Sequence, residues 1–273
     1  MSVQKISKKL TSQDIRAMKG STPIVGLTAY TAPMARVMDD AVDFVLVGDS
    51  LAMTIYGDDS TVGIDLDTMI RHGNAVSKNC QHACVVVDLP FGFYQQSPTQ
   101  AFDSASRVLR ETGCDAVKLE GGIEMAETIE FLTQRGVPVM GHIGLTPQSI
   151  NTLGGFKTQG KNKQVAEALV ASAKALDEAG CFSVVIEGVL EAVATQIHDV
   201  LSVPSIGIGA SVNCDGQILV TDDLIGMFDE FKPKFVKRYA QVLPDIRSAI
   251  ETYAIEVRAR DFPTSEYTFQ GKP

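Results

Sequence analysis

No stretch of this chain approaches the ~18 consecutive apolar residues that a membrane-spanning helix needs. The N-terminal MSVQKISKKLTSQDIRAMKG carries basic side chains without the apolar run of a secretory signal, so the expectation is a soluble, cytoplasmic protein. Positive charge is scarce: 24 Lys and Arg stand against 33 Asp and Glu, a formal net charge of -9. The basic residues form no cluster and no aromatic-interleaved stripe, which argues against nucleic acid or an anionic membrane as partner and leaves small molecules. Cysteine is sparse and odd in number. Cys80, Cys84, Cys114, Cys181 and Cys214 contain no C-x-x-C pair, so neither a disulfide framework nor a zinc site is expected, and the thiols read as buried and idle in a reducing compartment. No G-x-G-x-x-G opens a helix after the first strand-like run, and there is no P-loop. The nearest glycine-rich loop is GIGAS at 207–211, where a tight turn out of a strand explains the glycines.

What is present is a regular alternation. Strand-like apolar runs occur at 23–30, 44–50, 83–89, 116–121, 137–143, 183–188, 204–210 and 217–220. Helix-period segments lie between them: 99–112 with Phe102, Ala105 and Leu109 on one face, 124–135 with Met125, Ile129 and Leu132, and 163–179 with Val165, Leu169 and Leu176. These stop at Gly113, Gly136 and Gly180, each read as a C-cap before the next strand. Strand and helix alternating in this way specify a parallel α/β fold, and eight repeats favour closure into a (β/α)8 barrel over an open sheet. A length of 273 residues with 45% hydrophobic content suits one such barrel, typically ~250 residues. The expected organisation is a single domain over 1–273, with a short N-terminal helical segment and a C-terminal tail.

Five of the apolar runs end on residues that can do chemistry: FVLVGDS at Asp49, ACVVVDLP at Asp88, AVKLEGG at Glu120, VPVMGHIG at His142 and SVVIEGV at Glu187. In a closed parallel barrel the C-terminal ends of the strands converge on one face, where active sites lie. Two Asp and a Glu on neighbouring strands are hard oxygen donors of the kind Mg²⁺ takes, with substrate oxygens and water completing its shell. An α-keto acid would chelate such an ion through its carboxylate and ketone, and polarisation of the ketone makes the adjacent C–H acidic. A base is then required, and Glu187 can be aimed from across the mouth, its pKa raised by burial. Lys118 lies two residues before Glu120, so strand geometry points both into the mouth.

At these residues the chain resembles a known family. G-L-T-A-Y, V-L-V-G-D-S, V-V-V-D-L-P-F-G, V-K-L-E-G, G-H-I-G-L-T-P-Q, G-G-F-K-T-Q-G, I-G-I-G-A and D-G-Q-I-L-V follow one another as they do in the ketopantoate hydroxymethyltransferases, from about Leu10 to the FPTSEYTF tail. The resemblance implies a (β/α)8 barrel of the phosphoenolpyruvate/pyruvate-type superfamily, assembled as a homodecamer of five dimers. It implies Mg²⁺ and transfer of a hydroxymethyl group from 5,10-methylenetetrahydrofolate to 3-methyl-2-oxobutanoate through an enolate, giving 2-dehydropantoate on the way to pantothenate and coenzyme A. Carried over by position, Asp49 and Asp88 become metal ligands and Glu120 the third acid at the metal, direct or through water. Asp49, Ser50, Asp88, Lys118 and His142 meet the substrate: Ser50 bonds the keto-acid carboxylate, Lys118 stabilises enolate or hydroxyl oxygen, and His142 contributes by orientation or electrostatics. Glu187 matches the proton acceptor.

Simpler readings stand beside these. Asp49 and Asp88 could cap helix N-termini, Glu120 could be a loop acid, Lys118 could form a structural ion pair with Glu120 or Asp88, and His142 and Glu187 could be buried structural groups. The acidic stretch 57–67 reads as a solvated loop and a candidate lid. Thr31, Asp58 and Ser211 depart from the family's usual Asp, His and Gly. Two other functions remain open: a Mg²⁺-dependent keto-acid enzyme of the phosphoenolpyruvate mutase/isocitrate lyase type, against which stands the lack of a K-x-C-G-H-type segment, and an inactive barrel kept for assembly, against which stand the intact site residues. Apolar residues in 223–228 and 262–269 suggest an oligomer interface.

Overall fold

The computed structural model describes residues 8–228 and 233–271. Two compact units are present, Met1–Val220 and Thr221–Pro273, and the barrel expected over 1–273 is complete within the first. Its strands are β1 (Ile24–Thr28), β2 (Phe44–Val47), β3 (Cys84–Asp88), β4 (Ala116–Glu120), β5 (Val139–Gly144), β6 (Ser183–Glu187), β7 (Ser205–Ile208) and β8 (Gly216–Leu219). Each pairs in parallel with the next, and β1 pairs with β8 to close the barrel. All eight strand-like runs become strands, most of them trimmed by up to three residues at an end, while β5 runs on to Gly144 and β8 starts one residue early at Gly216.

The helices of this unit are α1 (Ser12–Arg16), α2 (Ala32–Met38), α3 (Leu51–Thr54), α4 (Leu66–Ser77), α5 (Pro98–Thr112), α6 (Ala126–Thr133), α7 (Ile150–Leu153), α8 (Lys163–Glu178) and α9 (Glu191–Val200). In α5 the start and stop are written locally: Ser97 accepts from the Gln100 N–H, Pro98 opens the first turn, and Gly113 closes it in the left-handed region at φ 70°. Its buried face is Ala101, Ala105 and Val108, with Phe102 and Leu109 packed at the flank and not at its centre as the periodicity suggests. The segment 124–135 begins as a 3-10 turn, Ile123–Met125, before α6. Gly136 and Gly180 have positive φ as expected, but they lie beyond the cap residues Gln134 and Ala179, so of the three glycines Gly113 alone is the cap itself.

Alternation along the strands separates two apolar layers. Val45, Val47, Val85, Val87, Val117, Leu119, Val184 and Ile186 pack outward against the helices. Phe44, Leu46, Cys84, Val86, Ala116, Met140, Phe182, Val185, Ile206 and Ile218 fill the barrel interior. Gly26 on β1 has no side chain because Phe44 fills its space: a Cβ there would lie 2.2 Å from the Phe44 ring. The N-terminal end of the barrel is plugged by α1, started by a Thr11–Asp14 capping box, whose Ile15 joins the interior cluster. Asp215 bolts this end. Its carboxylate accepts from the Gly20 and Ser205 N–H groups at 2.9 and 2.9 Å and pairs with Lys19 at 3.0 Å, and these bonds outweigh burial and hold its pKa below the usual range.

The stretch 57–67 is not solvated throughout. Asp58, Asp59 and Asp65 are exposed, but Thr61, Ile64 and Leu66 are buried. Asp65 caps α4, accepting from the Thr68 N–H at 2.7 Å. The apolar residues among the acids anchor the loop.

The second unit holds α10 (Thr221–Ile225) and α11 (Val242–Ala259). Helix α11 has no buried residue, and Ile246, Ile250, Tyr253 and Val257, spaced as one helical face, are all exposed.

Candidate active site

Period-2 geometry carries four strands from apolar interior to polar mouth. On β3 the inward residues run Cys84, Val86, Asp88; on β4 Ala116, Lys118, Glu120; on β5 Met140, His142; on β6 Val185, Glu187. Register aligns these ends, with Asp88 beside Lys118, Glu120 beside His142 and Gly144 beside Glu187. Gly144 has φ 101°, and a Cβ there would come within 2.3 Å of the Glu187 carbonyl oxygen, so glycine lets β5 and β6 run close where the base candidate sits. Asp49 arrives differently. Strand β2 ends at Val47, and Asp49 lies in the following turn, tied in by its N–H, which donates to Asp88 Oδ2 at 3.1 Å.

The expected residues converge. Lys118 Nζ pairs with Asp88 Oδ1 at 2.6 Å and lies 3.5 Å from His142 Nδ1. His142 bridges two acids, with Nδ1 3.5 Å from Glu120 Oε1 and Nε2 3.1 Å from Glu187 Oε2. Ser50 Oγ lies 2.8 Å from the Tyr30 hydroxyl. Neither Asp is a helix cap: Ser50 stands at the N-cap position of α3 with no side-chain capping bond, and Ser97 caps α5. Lys118 does form the ion pair with Asp88, but within the cluster of acids and not apart from it.

Burial acts on these charges in opposite directions. Desolvation, then the charge of Glu120, pushes Asp49 up to about 6 against the pull of Lys118. Desolvation pushes Asp88 up to about 6 as well, with Lys118 opposing and Asp49 adding. Burial alone would lower Lys118, but Asp88, Asp49 and Glu120 outweigh it and hold the ammonium charged. For His142, burial and Lys118 press downward, while bonds to Glu120 and Glu187 win and raise it to about 9, so the ring is an imidazolium near neutral pH.

Sequence reading missed two residues of this site. Gln148, in the turn after β5, is 3% exposed. Its side chain donates to Asp49 Oδ2 at 2.9 Å and to the Leu89 carbonyl at 3.0 Å, and its backbone N–H donates to Glu120 Oε2 at 3.0 Å. Tyr94, 1% exposed, donates to Gln148 Oε1 at 2.6 Å and accepts from the Glu120 N–H at 3.1 Å. Burial, reinforced by Glu120, raises its phenol well above 10 and keeps it a donor. The one signal available was Gln148's place at the end of the G-H-I-G-L-T-P-Q block.

The donor set fits a divalent cation. Four carboxylates, Asp49, Asp88, Glu120 and Glu187, face two cationic groups, Lys118 and His142, leaving a formal excess of two negative charges in an enclosed space. Uncompensated buried charge is costly, and the raised values of Asp49 and Asp88 express that cost. Among the described residues no group of three or more His, Cys, Asp or Glu side chains is placed to hold a metal ion; Mg²⁺, which binds through one or two carboxylates with water and substrate oxygens, would need only Asp49 and Asp88.

The departing residues have structural roles. Thr31 is the N-cap of α2, a position Asp would also suit, and it lines a cleft of about 270 Å³ with Tyr30, Ala32, Arg71, His72 and Ala75. Ser211 is outside the left-handed region, so a side chain in place of the family's Gly costs no backbone strain there; its hydroxyl accepts from the Asn213 N–H at 3.1 Å and lies 3.1 Å from Thr195 Oγ1. Asp58 is exposed, its N–H bonded to the Ala52 carbonyl. All five cysteines are buried and free, and burial pushes the Cys114 thiol up to about 11 and Cys181 to about 12, which makes them inert.

A family model described as ketopantoate hydroxymethyltransferase matches residues 9–265. The chain is 56% identical over 272 residues to a 3-methyl-2-oxobutanoate hydroxymethyltransferase from Sinorhizobium fredii (strain NBRC 101917 / NGR234), covering 100% of both chains. Among solved structures it is similar to phosphonopyruvate hydrolase in complex with oxalate and Mg²⁺, at TM-score 0.61 and 12% identity over 94% of this chain and 93% of that one. It is also similar to 2,3-dimethylmalate lyase, a PEP mutase/isocitrate lyase superfamily member, at TM-score 0.56 and 14% identity, covering 95% and 92%. At such identities these likenesses are of fold, and they establish the barrel class expected.

Proposed function

The chain belongs to the ketopantoate hydroxymethyltransferase family, and from that membership we propose how the residues at its barrel mouth divide the work. The activity is that of a transferase, hydroxymethylation of 3-methyl-2-oxobutanoate in pantothenate biosynthesis. The donor is 5,10-methylenetetrahydrofolate, water supplies the hydroxyl oxygen, and 2-dehydropantoate and tetrahydrofolate leave.

Asp49 and Asp88 would hold Mg²⁺. Glu120, whose oxygens face the Gln148 N–H and His142, would reach it through water. When bound, the ion supplies Lewis-acid polarisation of the substrate ketone. Ser50, set by Tyr30, hydrogen-bonds the keto-acid carboxylate. Glu187 accepts the proton from C3: 17% of its side chain is accessible, against 3% for Glu120 and 1% for Asp88, so of these three it is the most open to substrate. His142 lies between Glu187 and Glu120, Nε2 3.1 Å from Glu187 Oε2 and Nδ1 3.5 Å from Glu120 Oε1, and its charge would orient the base. Lys118 gives positive charge near the oxygen that becomes anionic. Water releases the one-carbon unit from tetrahydrofolate as formaldehyde, both C–N bonds breaking, and the enolate carbon attacks that carbonyl carbon, the new alkoxide taking up a proton to become the hydroxymethyl group.

The observation that carries this reading is the enclosed group of four carboxylates and two cations at the C-terminal mouth. The test is incubation of the protein with 3-methyl-2-oxobutanoate, 5,10-methylenetetrahydrofolate and Mg²⁺, with 2-dehydropantoate sought by mass. Product that disappears on chelation of Mg²⁺ is expected; none from freshly purified protein contradicts the reading.

The same reading makes the protein a cytoplasmic homodecamer of five dimers. Free, buried thiols suit a reducing compartment, and among the described residues no helix is long and apolar enough to cross a membrane. The exposed apolar face of α11 and the exposed Tyr267 and Phe269 are surface that a closed assembly would cover.

A further inference from the structure

The amide of Gln148 can point only one way. Its Nε2 faces two acceptors, Asp49 Oδ2 and the Leu89 carbonyl. Its Oε1 faces two donors, the Tyr94 hydroxyl at 2.6 Å and Gln95 Nε2 at 3.2 Å. Flipping the amide would oppose oxygen to oxygen on one side and donor to donor on the other. Tyr94 fixes the choice further: its oxygen already accepts from the Glu120 N–H, so its own proton is committed to Gln148. The bonds therefore run in one direction, from the β4 backbone through Tyr94 and Gln148 to Asp49. The Gln148 backbone returns a bond to Glu120 Oε2. One neutral residue thus touches the acid after β2, the acid ending β4 and the carbonyl that follows Asp88 on β3.

Gln148 adds no charge to a site whose charges do not balance, so its contribution lies in where it holds its neighbours. We infer that Gln148, oriented by Tyr94, is a positioning residue that fixes the Asp49 and Glu120 carboxylates in the arrangement that receives Mg²⁺ and the keto acid. This rests on the metal reading proposed above. Hydrogen-bond partners of metal ligands typically matter 10–100-fold in metal affinity.

The test is calorimetric titration of Mg²⁺ into protein saturated with 3-methyl-2-oxobutanoate, on wild type, Gln148→Leu and Tyr94→Phe, with the melting temperature of each recorded. Gln148→Leu should weaken Mg²⁺ binding by roughly 10–100-fold. Tyr94→Phe, which keeps the buried ring and removes the shorter of the two bonds to the amide oxygen, should weaken it in the same direction by less. Should Gln148→Leu fail to fold, Tyr94→Phe decides alone. A purely structural role would lower melting temperatures and leave the Mg²⁺ affinity of folded protein unchanged, and that result overturns the inference. Wild type that takes up no Mg²⁺ overturns the metal reading and the inference with it, whereas wild type that binds, with both variants its equal, overturns the inference alone.

Discussion

Replacing Glu187 by Gln isolates proton removal from everything else the site does. The substitution conserves shape, and the new amide oxygen can still accept from His142 Nε2, now 3.1 Å from Glu187 Oε2, so fold, metal and keto acid should stay. What is lost is the proton acceptor, a group that typically contributes 10²–10⁴-fold, or about 3–5 kcal/mol of barrel-mouth chemistry at 1.36 kcal/mol per tenfold. The assay needs no folate. In D₂O with Mg²⁺, exchange at C3 of 3-methyl-2-oxobutanoate collapses the methyl doublet of its proton spectrum, and the variant should exchange at least about 100-fold more slowly. A second signal follows from the same contact. The closeness of Glu187 helps raise His142 to about 9, so the His142 ring should titrate at lower pH in the variant. Exchange at the wild-type rate, with Mg²⁺ and keto acid bound, refutes Glu187 as the base.

The raised values of Asp49 and Asp88, both about 6, predict competition between protons and Mg²⁺. Affinity should fall steadily as pH drops below about 6, which calorimetry at several pH values reads directly; a flat profile contradicts the assignment. Stability follows with the opposite sign in the metal-free protein. These two groups ionise near 3.9 when unfolded but near 6 when folded, so they disfavour the folded state increasingly from about pH 4 to 6 and fully above it. The gain in melting temperature on adding Mg²⁺ should therefore be larger at pH 7.5 than at pH 5, and an equal gain at both speaks against it. In the barrel interior Gly26→Ala should cost about 1–3 kcal/mol by overpacking against Phe44. Combining it with Phe44→Leu should cost less than the two separate losses added, as denaturant titration shows, while strict additivity would deny the contact. Sedimentation velocity at micromolar concentration should give one species near ten chains, and a species at the 29.3 kDa monomer mass rules the decamer out.

The barrel was legible because buried parallel strands are apolar on both faces and read as unbroken runs. The same period places Lys118 and Glu120 together, and the structure brings them both to the mouth. Asp49 shows where the rule stops. It follows β2 in a turn, and its position depends on the bond from its N–H to Asp88, 39 residues away. Gln148 and Tyr94 were illegible for a related reason: neutral polar residues in loops have no period, and their importance comes from contacts across 99 and 54 positions of chain. The stretch 57–67 misled because its acids dominate the composition while Thr61 and Ile64 determine its burial.

Whether this enclosed, over-negative cluster holds Mg²⁺ and a keto acid together is read by calorimetry of 3-methyl-2-oxobutanoate with and without Mg²⁺, on wild type and on Asp88→Ala. Wild type should bind the keto acid tightly with Mg²⁺ present and weakly without it, and Asp88→Ala should lose the Mg²⁺-dependent part. Keto-acid binding with an unchanged dependence on Mg²⁺ in the variant would show that Asp88 does not hold the ion.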